Sequence, residues 1–171
     1  MFLFVSSPLQ MDLINFISQI SIMKKIPITI FAILFLATQH PNAQTRPSFN
    51  HTTIYVVDMN KSAEFYEKVM KFERIPEPFH DNRHIWVKIG EHNQLHIVQG
   101  AASVMPHDIN IHLAFAVPSV EDFAKHLDSM NIKYGNWKQD SKQPQVRPDG
   151  IKQIYLQDPD GYWIEVNNDT F

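Results

Sequence analysis

The chain has 171 residues, 44% of them hydrophobic and 12% aromatic, and a formal net charge of −3. That length suits one domain with an apolar core, and the charge provides no basic face for nucleic acid. There is no cysteine, which excludes disulfides, thiolate zinc sites and cysteine nucleophiles together.

Residues 1–22 fit no targeting scheme and read as a misassigned upstream start, with Met23 as the true initiator. Met23-Lys24-Lys25 is basic, residues 26–37 are apolar except for Pro27 and Thr29, residues 38–42 are polar, and Ala43 precedes Gln44. That order predicts a signal peptide over residues 23–43, cleaved after Ala43, and hence a periplasmic or secreted protein. The apolar run falls short of the ~18 residues of a membrane span. A retained anchor using both apolar stretches is the alternative, and only then would a membrane be a partner. Residues 44–48 form a linker to a domain over residues 49–168.

That domain contains one pattern twice, over residues 49–100 and 110–168. A strand led by His51 runs through Thr52, Thr53, Ile54, Tyr55 and Val56 to an Asp-Met-Asn break. A helix over residues 61–72 follows, with Ala63, Tyr66, Val69 and Met70 at helical spacing. Strands are predicted at residues 73–77, 84–89 and 94–99. The second unit starts with a strand led by His112. Its helix carries Val120, Phe123, Ala124, Leu127 and Met130 on one stripe, with Ser119 as N-cap. Strands follow at residues 132–137, 151–157 and 162–167, with an Asp158-Pro159-Asp160-Gly161 turn before the last. The polar loop at residues 139–150 is a candidate lid.

Alternation along these strands places polar residues on the face away from the helices. Ile111, Leu113, Phe115 and Val117 point to one side of the second unit's first strand, and His112, Ala114 and Ala116 to the other. His51 holds the matching place in the first unit. His96 lies between Leu95 and Ile97, and Glu165 between Ile164 and Val166, so both turn to the face of the histidines. Imidazole and carboxylate are good ligands for borderline divalent metals, and two His with one carboxylate leave coordination positions open. His51, His112 and Glu165, with His96 as a fourth, are therefore the candidate metal ligands. His84 shares the inner face with Trp86 and Lys88, and Tyr155 shares it with Gln153. Tyr55, His84, Trp86 and Tyr155 are the candidate substrate contacts. His40, His80, His92, His107 and His126 read as solvated.

The phrases "HTTIYVVDMNKSAEFYEKVMKFE" and "YLQDPDGYWIEV", with the strand-leading His51 and His112, resemble the vicinal-oxygen-chelate superfamily. That group includes glyoxalase I, extradiol dioxygenases, methylmalonyl-CoA epimerases, fosfomycin-modifying enzymes and bleomycin-binding (bleomycin resistance) proteins. The resemblance implies an α+β fold of two βαβββ units, a cupped mixed sheet with helices on its outer face, and often a homodimer. The family's ligand positions fall on His51, His112 and Glu165; glyoxalase I generally has Glu where this chain has His96. The implied cofactor is a divalent metal ion (Zn, Ni, Mn, Co or Fe), and the implied partner is a small-molecule substrate. The leading expectation is a metal-dependent lyase or isomerase of glyoxalase type acting on a small oxygenated substrate, with Glu165 or a metal-bound water as proton carrier. The alternatives are an Fe(II)-dependent extradiol-type dioxygenase, assisted by His96 and Tyr155, and a non-catalytic small-molecule binding or resistance protein.

Overall fold

The computed structural model describes residues 46–170. The predicted upstream segment and signal peptide lie outside them. In chain order the elements are β1 (His51–Val56), α1 (Met59–Lys68), β2 (Glu73–Ile75), β3 (His84–Lys88) and β4 (Gln94–Gln99). They are followed by β5 (His112–Ala116), α2 (Val120–Ser129), β6 (Tyr134–Gly135), β7 (Gln145–Val146), β8 (Lys152–Gln157) and β9 (Trp163–Asn167). Hydrogen bonding divides the strands into two mixed sheets, one per unit, with orders β1-β4-β3-β2 and β5-β9-β8-β6. In each, the first strand runs parallel to the last, and the remaining pairings are antiparallel. The expected α+β fold of paired strand–helix–three-strand units is the observed one.

Both helices start at a side-chain cap. Asp58 accepts the backbone N–H groups of Asn60 and Lys61, and Ser119 accepts that of Asp122. The first helix thus begins earlier than its apolar stripe suggested, because Asp58 is a cap and not part of a break. It also ends sooner: Lys71 adopts φ 62° and turns the chain, as Asn131 does with φ 56° after α2.

One face of each sheet is covered by its own helix. Ile54, Ile85, Val87, Leu95 and Ile97 are buried with Ala63 and Tyr66; Ile154, Leu156, Ile164 and Val166 are buried with Val120 and Leu127. Burying each such aliphatic side chain contributes roughly 1.5–3 kcal/mol. Ile111, expected beside Leu113 and Phe115, precedes β5 and is 76% exposed. The strand at residues 132–137 shrinks to β6. The loop at residues 139–150 contains β7, whose Gln145 and Val146 pair with Gln153 and Lys152 of β8. The candidate lid is thus hydrogen-bonded to the sheet.

The Asp158–Gly161 turn ties the second unit to the first. Asp158 accepts the Tyr66 hydroxyl at 2.9 Å as well as the backbone N–H groups of Asp160 and Tyr162. Asp160 accepts the Ser62 hydroxyl at 2.6 Å and the N–H of Val57 at 2.7 Å. Gly161 sits at φ 87°, and a Cβ there would meet the Met105 carbonyl oxygen at 3.0 Å. The Tyr162 hydroxyl bridges the N–H and carbonyl of Tyr55. His126, expected in solvent, instead donates from Nε2 to the Val69 carbonyl at 3.1 Å. His107 also packs rather than extending into solvent, stacking on Tyr162 with ring centroids 4.0 Å apart.

Candidate functional site

The sheet faces turned away from the helices carry the polar residues. In the first sheet, Thr53 and Trp86 flank His96 in register, while His51 lies opposite Gln94. His96 is sandwiched: Trp86 stacks on it at 3.9 Å and His51 at 4.2 Å, both nearly parallel. Asn50 Oδ1 lies 2.7 Å from His51 Nδ1, and Gln94 Oε1 lies 3.0 Å from His96 Nε2. Because these amide oxygens only accept, each ring carries its proton there and keeps a lone pair on the other nitrogen. Burial, with His51 and His84 nearby, holds His96 below the usual imidazole pKa, which favours this neutral form.

In the second sheet, Ala114 and Tyr155 flank Glu165, and Ala116 and Gln153 flank Asn167. His112 donates from Nδ1 to the Ile109 carbonyl at 2.7 Å, leaving the Nε2 lone pair free. That nitrogen is 3.3 Å from Glu165 Oε2. Glu165 is buried and accepts the Tyr155 hydroxyl at 2.6 Å and Asn167 Nδ2 at 2.7 Å. Burial, then the bond to Glu165, raises the Tyr155 pKa, so its hydroxyl remains a donor. Trp137 packs edge-on to Tyr155. Arg147, brought in by the loop after β7, places Nη1 3.9 Å from Glu165 Oε1.

Of the four candidate ligands, His51 therefore meets His96, and His112 meets Glu165. Among the described residues, no three of His, Cys, Asp and Glu gather closely enough to hold one ion. The pairs differ: His112 and Glu165 face each other through ligand atoms, whereas His51 and His96 stack ring on ring. All three imidazoles have one nitrogen fixed by an acceptor and the other free, as metal-binding histidines do. Two ligand atoms each ~2.1 Å from one ion, at angles between right and tetrahedral, lie roughly 3.0–3.4 Å apart. The 3.3 Å between His112 and Glu165 falls within that span.

The other expected contacts divide. Trp86 lies on the imidazole stack with its Nε1 buried and, among the described residues, unpartnered. His84 is held at 2.8 Å by Asp81 beneath the exposed Phe79 ring. Tyr155 belongs to the Glu165 cluster. Tyr55 sits at the other end of β1 from His51, beside a cavity it shares with His107 and Tyr162. Asn167 and Arg147 were missed. Asn167 was legible, because two residues beyond Glu165 on a strand it must share the same face. Arg147 carried only the weak signal of a cation inside a polar loop.

The sequence profile of the Glyoxalase/Bleomycin resistance protein/Dioxygenase superfamily matches residues 48–166. The chain is 27% identical over 122 residues to the uncharacterized protein YwbC of Bacillus subtilis, covering 68% of this chain and 93% of that one. It is 24% identical over 154 residues to a lactoylglutathione lyase of Pseudomonas putida, covering 71% and 85% respectively. Its fold is similar to that of the fosfomycin resistance protein FosX of Listeria monocytogenes, with TM-score 0.59 and 19% identity over 74% of this chain and 97% of FosX.

Proposed function

Since the chain belongs to the Glyoxalase/Bleomycin resistance protein/Dioxygenase superfamily, we propose that it is a metal-dependent enzyme of glyoxalase type, with lyase or isomerase chemistry on a small oxygenated substrate. The observation that carries this reading is the free Nε2 lone pair of His112, 3.3 Å from a buried Glu165 carboxylate oxygen. A buried carboxylate facing a lone pair calls for a cation or a shared proton.

The ligands are His51, His96, His112 and Glu165. In one chain they form two pairs, so the complete site forms between two copies, the His51–His96 pair of one meeting the His112–Glu165 pair of the other. These residues would hold a divalent ion, which when bound would supply Lewis acidity to the substrate. Glu165 takes the proton from the substrate carbon and returns it to the neighbouring one. Tyr155 and Asn167, each bonded to one oxygen of Glu165, hold the carboxylate in place for that transfer. Trp86 forms an apolar wall.

Protein purified without added metal and then titrated with zinc, nickel, cobalt and manganese tests the proposal. Uptake that is lost in His112→Ala is the expected result. Iron as the native metal would move the chemistry to the dioxygenase class, and failure to take up any metal would leave only a small-molecule binder. Mixing a His51→Ala/His96→Ala variant with a His112→Ala/Glu165→Ala variant should restore one intact site per mixed dimer. No restoration would overturn the shared site.

The proposal includes export, with residues 23–43 as the cleaved signal. An intact mass of the exported protein that includes those residues would exclude cleavage.

A further inference from the structure

We infer that Arg147 is a specificity-determining residue that recognises a carboxylate on the substrate, in the cavity next to Glu165. This inference rests on the proposed metal site for its location but not for its test. The cavity has a volume of about 420 Å³, and its lining includes His112, Ala114, Arg147, Glu165 and Asn167. Ala114 and Ala116 stand beside Glu165 and Asn167 in register and leave the space in front of β9 open.

Two observations favour an anion. Arg147 is held in position by its backbone: its N–H donates to the Ile151 carbonyl at 2.7 Å and its carbonyl accepts from Gly150 at 2.9 Å, just after the β7–β8 pairing. A guanidinium has five N–H donors, and among the described residues only Nη2 makes a hydrogen bond, to Asp149 two residues along the same turn. Asp169 at 3.7 Å and Glu165 at 3.9 Å are outside hydrogen-bond range. The side chain is 32% exposed, so its remaining donors border the cavity. The site thus presents open donors next to the place where chemistry is proposed.

The planar fork of a guanidinium matches a carboxylate through two parallel hydrogen bonds. Three carboxylates already surround Arg147, so a singly charged ligand enters against less repulsion than a doubly charged phosphonate. The recognised class is a monocarboxylate, carried on a substrate whose other oxygens reach Glu165 and its metal.

Benzoate, benzyl alcohol and phenylphosphonate serve as probes, titrated into metal-free and zinc-loaded protein and followed by calorimetry and by amide NMR shifts. Wild-type protein is expected to bind benzoate over benzyl alcohol by roughly tenfold, the factor of one charge-assisted hydrogen bond, and to bind phenylphosphonate more weakly than benzoate. Arg147→Gln should abolish the preference, Arg147→Lys should keep part of it, and Asp169→Asn, which removes a competing carboxylate, should increase it. Equal or absent binding of benzoate and benzyl alcohol by wild-type protein, or an unchanged preference in Arg147→Gln, would overturn the inference. Tighter binding of phenylphosphonate would overturn the monocarboxylate assignment. Zinc uptake recorded in the same titrations reports on the metal reading separately.

Discussion

The two units place different chemistry on equivalent positions. In the first, His96 occupies the position that Glu165 occupies in the second, and Trp86 the position of Tyr155. The first half-site is a stack of aromatic rings on a sheet face where His51, Thr53 and Tyr55 remain exposed. The second is an ionisable cluster in which Gln153, Tyr155, Glu165 and Asn167 are all buried. The loop between α2 and β8 accounts for the difference, because it brings Trp137 and Arg147 over the second sheet. A duplicated scaffold has therefore separated its duties: one half offers uncharged donors and an apolar wall, and the other holds the carboxylate and controls its surroundings.

If that separation holds, the ligands are unequal. His112→Ala and Glu165→Ala should each weaken divalent-metal affinity by more than ~100-fold, above the 10–100-fold that loss of an outer partner costs. His96→Ala, which removes one ligand of the ring stack, should weaken it less, by about tenfold. Titration calorimetry of the three variants measures this, and equal losses would erase the contrast. Next in size is the bond joining the units. Tyr66→Phe leaves buried Asp158 without its hydroxyl donor and should destabilise the fold by about 1–3 kcal/mol in urea unfolding. The units are expected to be most alike at their helix starts. Ser119→Ala should cost about 1 kcal/mol, and Asp58→Ala should shift stability in the same direction.

The smallest expected effect is a pH slope. Burial raises the Asp158 carboxyl above its ordinary value, outweighing its hydrogen bonds. Between the ordinary carboxylate range and that raised value, the folded chain keeps a proton that the unfolded chain has released. Folding stability from this group therefore falls as pH rises through that window and is fully present below it. Asp158→Asn should flatten the stability profile there, measured as urea midpoints across acidic pH. A steeper profile would show that the carboxylate form is the one the fold favours.

Local chemistry made much of this legible from sequence. The strand Gln94–Gln99 has its predicted bounds, and Ser119 caps α2 as its spacing with Asp122 implies. Alternation assigned His51, His96, His112 and Glu165 to the faces they occupy, because a strand's period of two is set by the backbone itself. That same period gives a side chain's face and leaves open which sheet edges meet, so the division into two pairs was not legible. Asp58 was read as a break because an N-cap and a loop residue share the same composition. The partners of Tyr66, His126 and Arg147 come from distant sequence or from loop geometry, and no periodicity encodes them. The loop at residues 139–150 reads as a candidate lid in the sequence because two-residue strands such as β7 are too short to leave a pattern.

The acidic turn before β9 has a consequence for how the chain can be divided. Asp158, Asp160 and Tyr162 all reach back to backbone or side-chain groups of the first unit, while the connecting residues Ala102, Ser103, Val104 and Met105 are exposed. A protease nick in that connector would cut the covalent tether yet leave these cross-braces in place, so the two fragments should migrate together until denaturant separates them. Either fragment made alone would expose these groups to water and lose the cross-braces, so each is expected to be less stable than the pair.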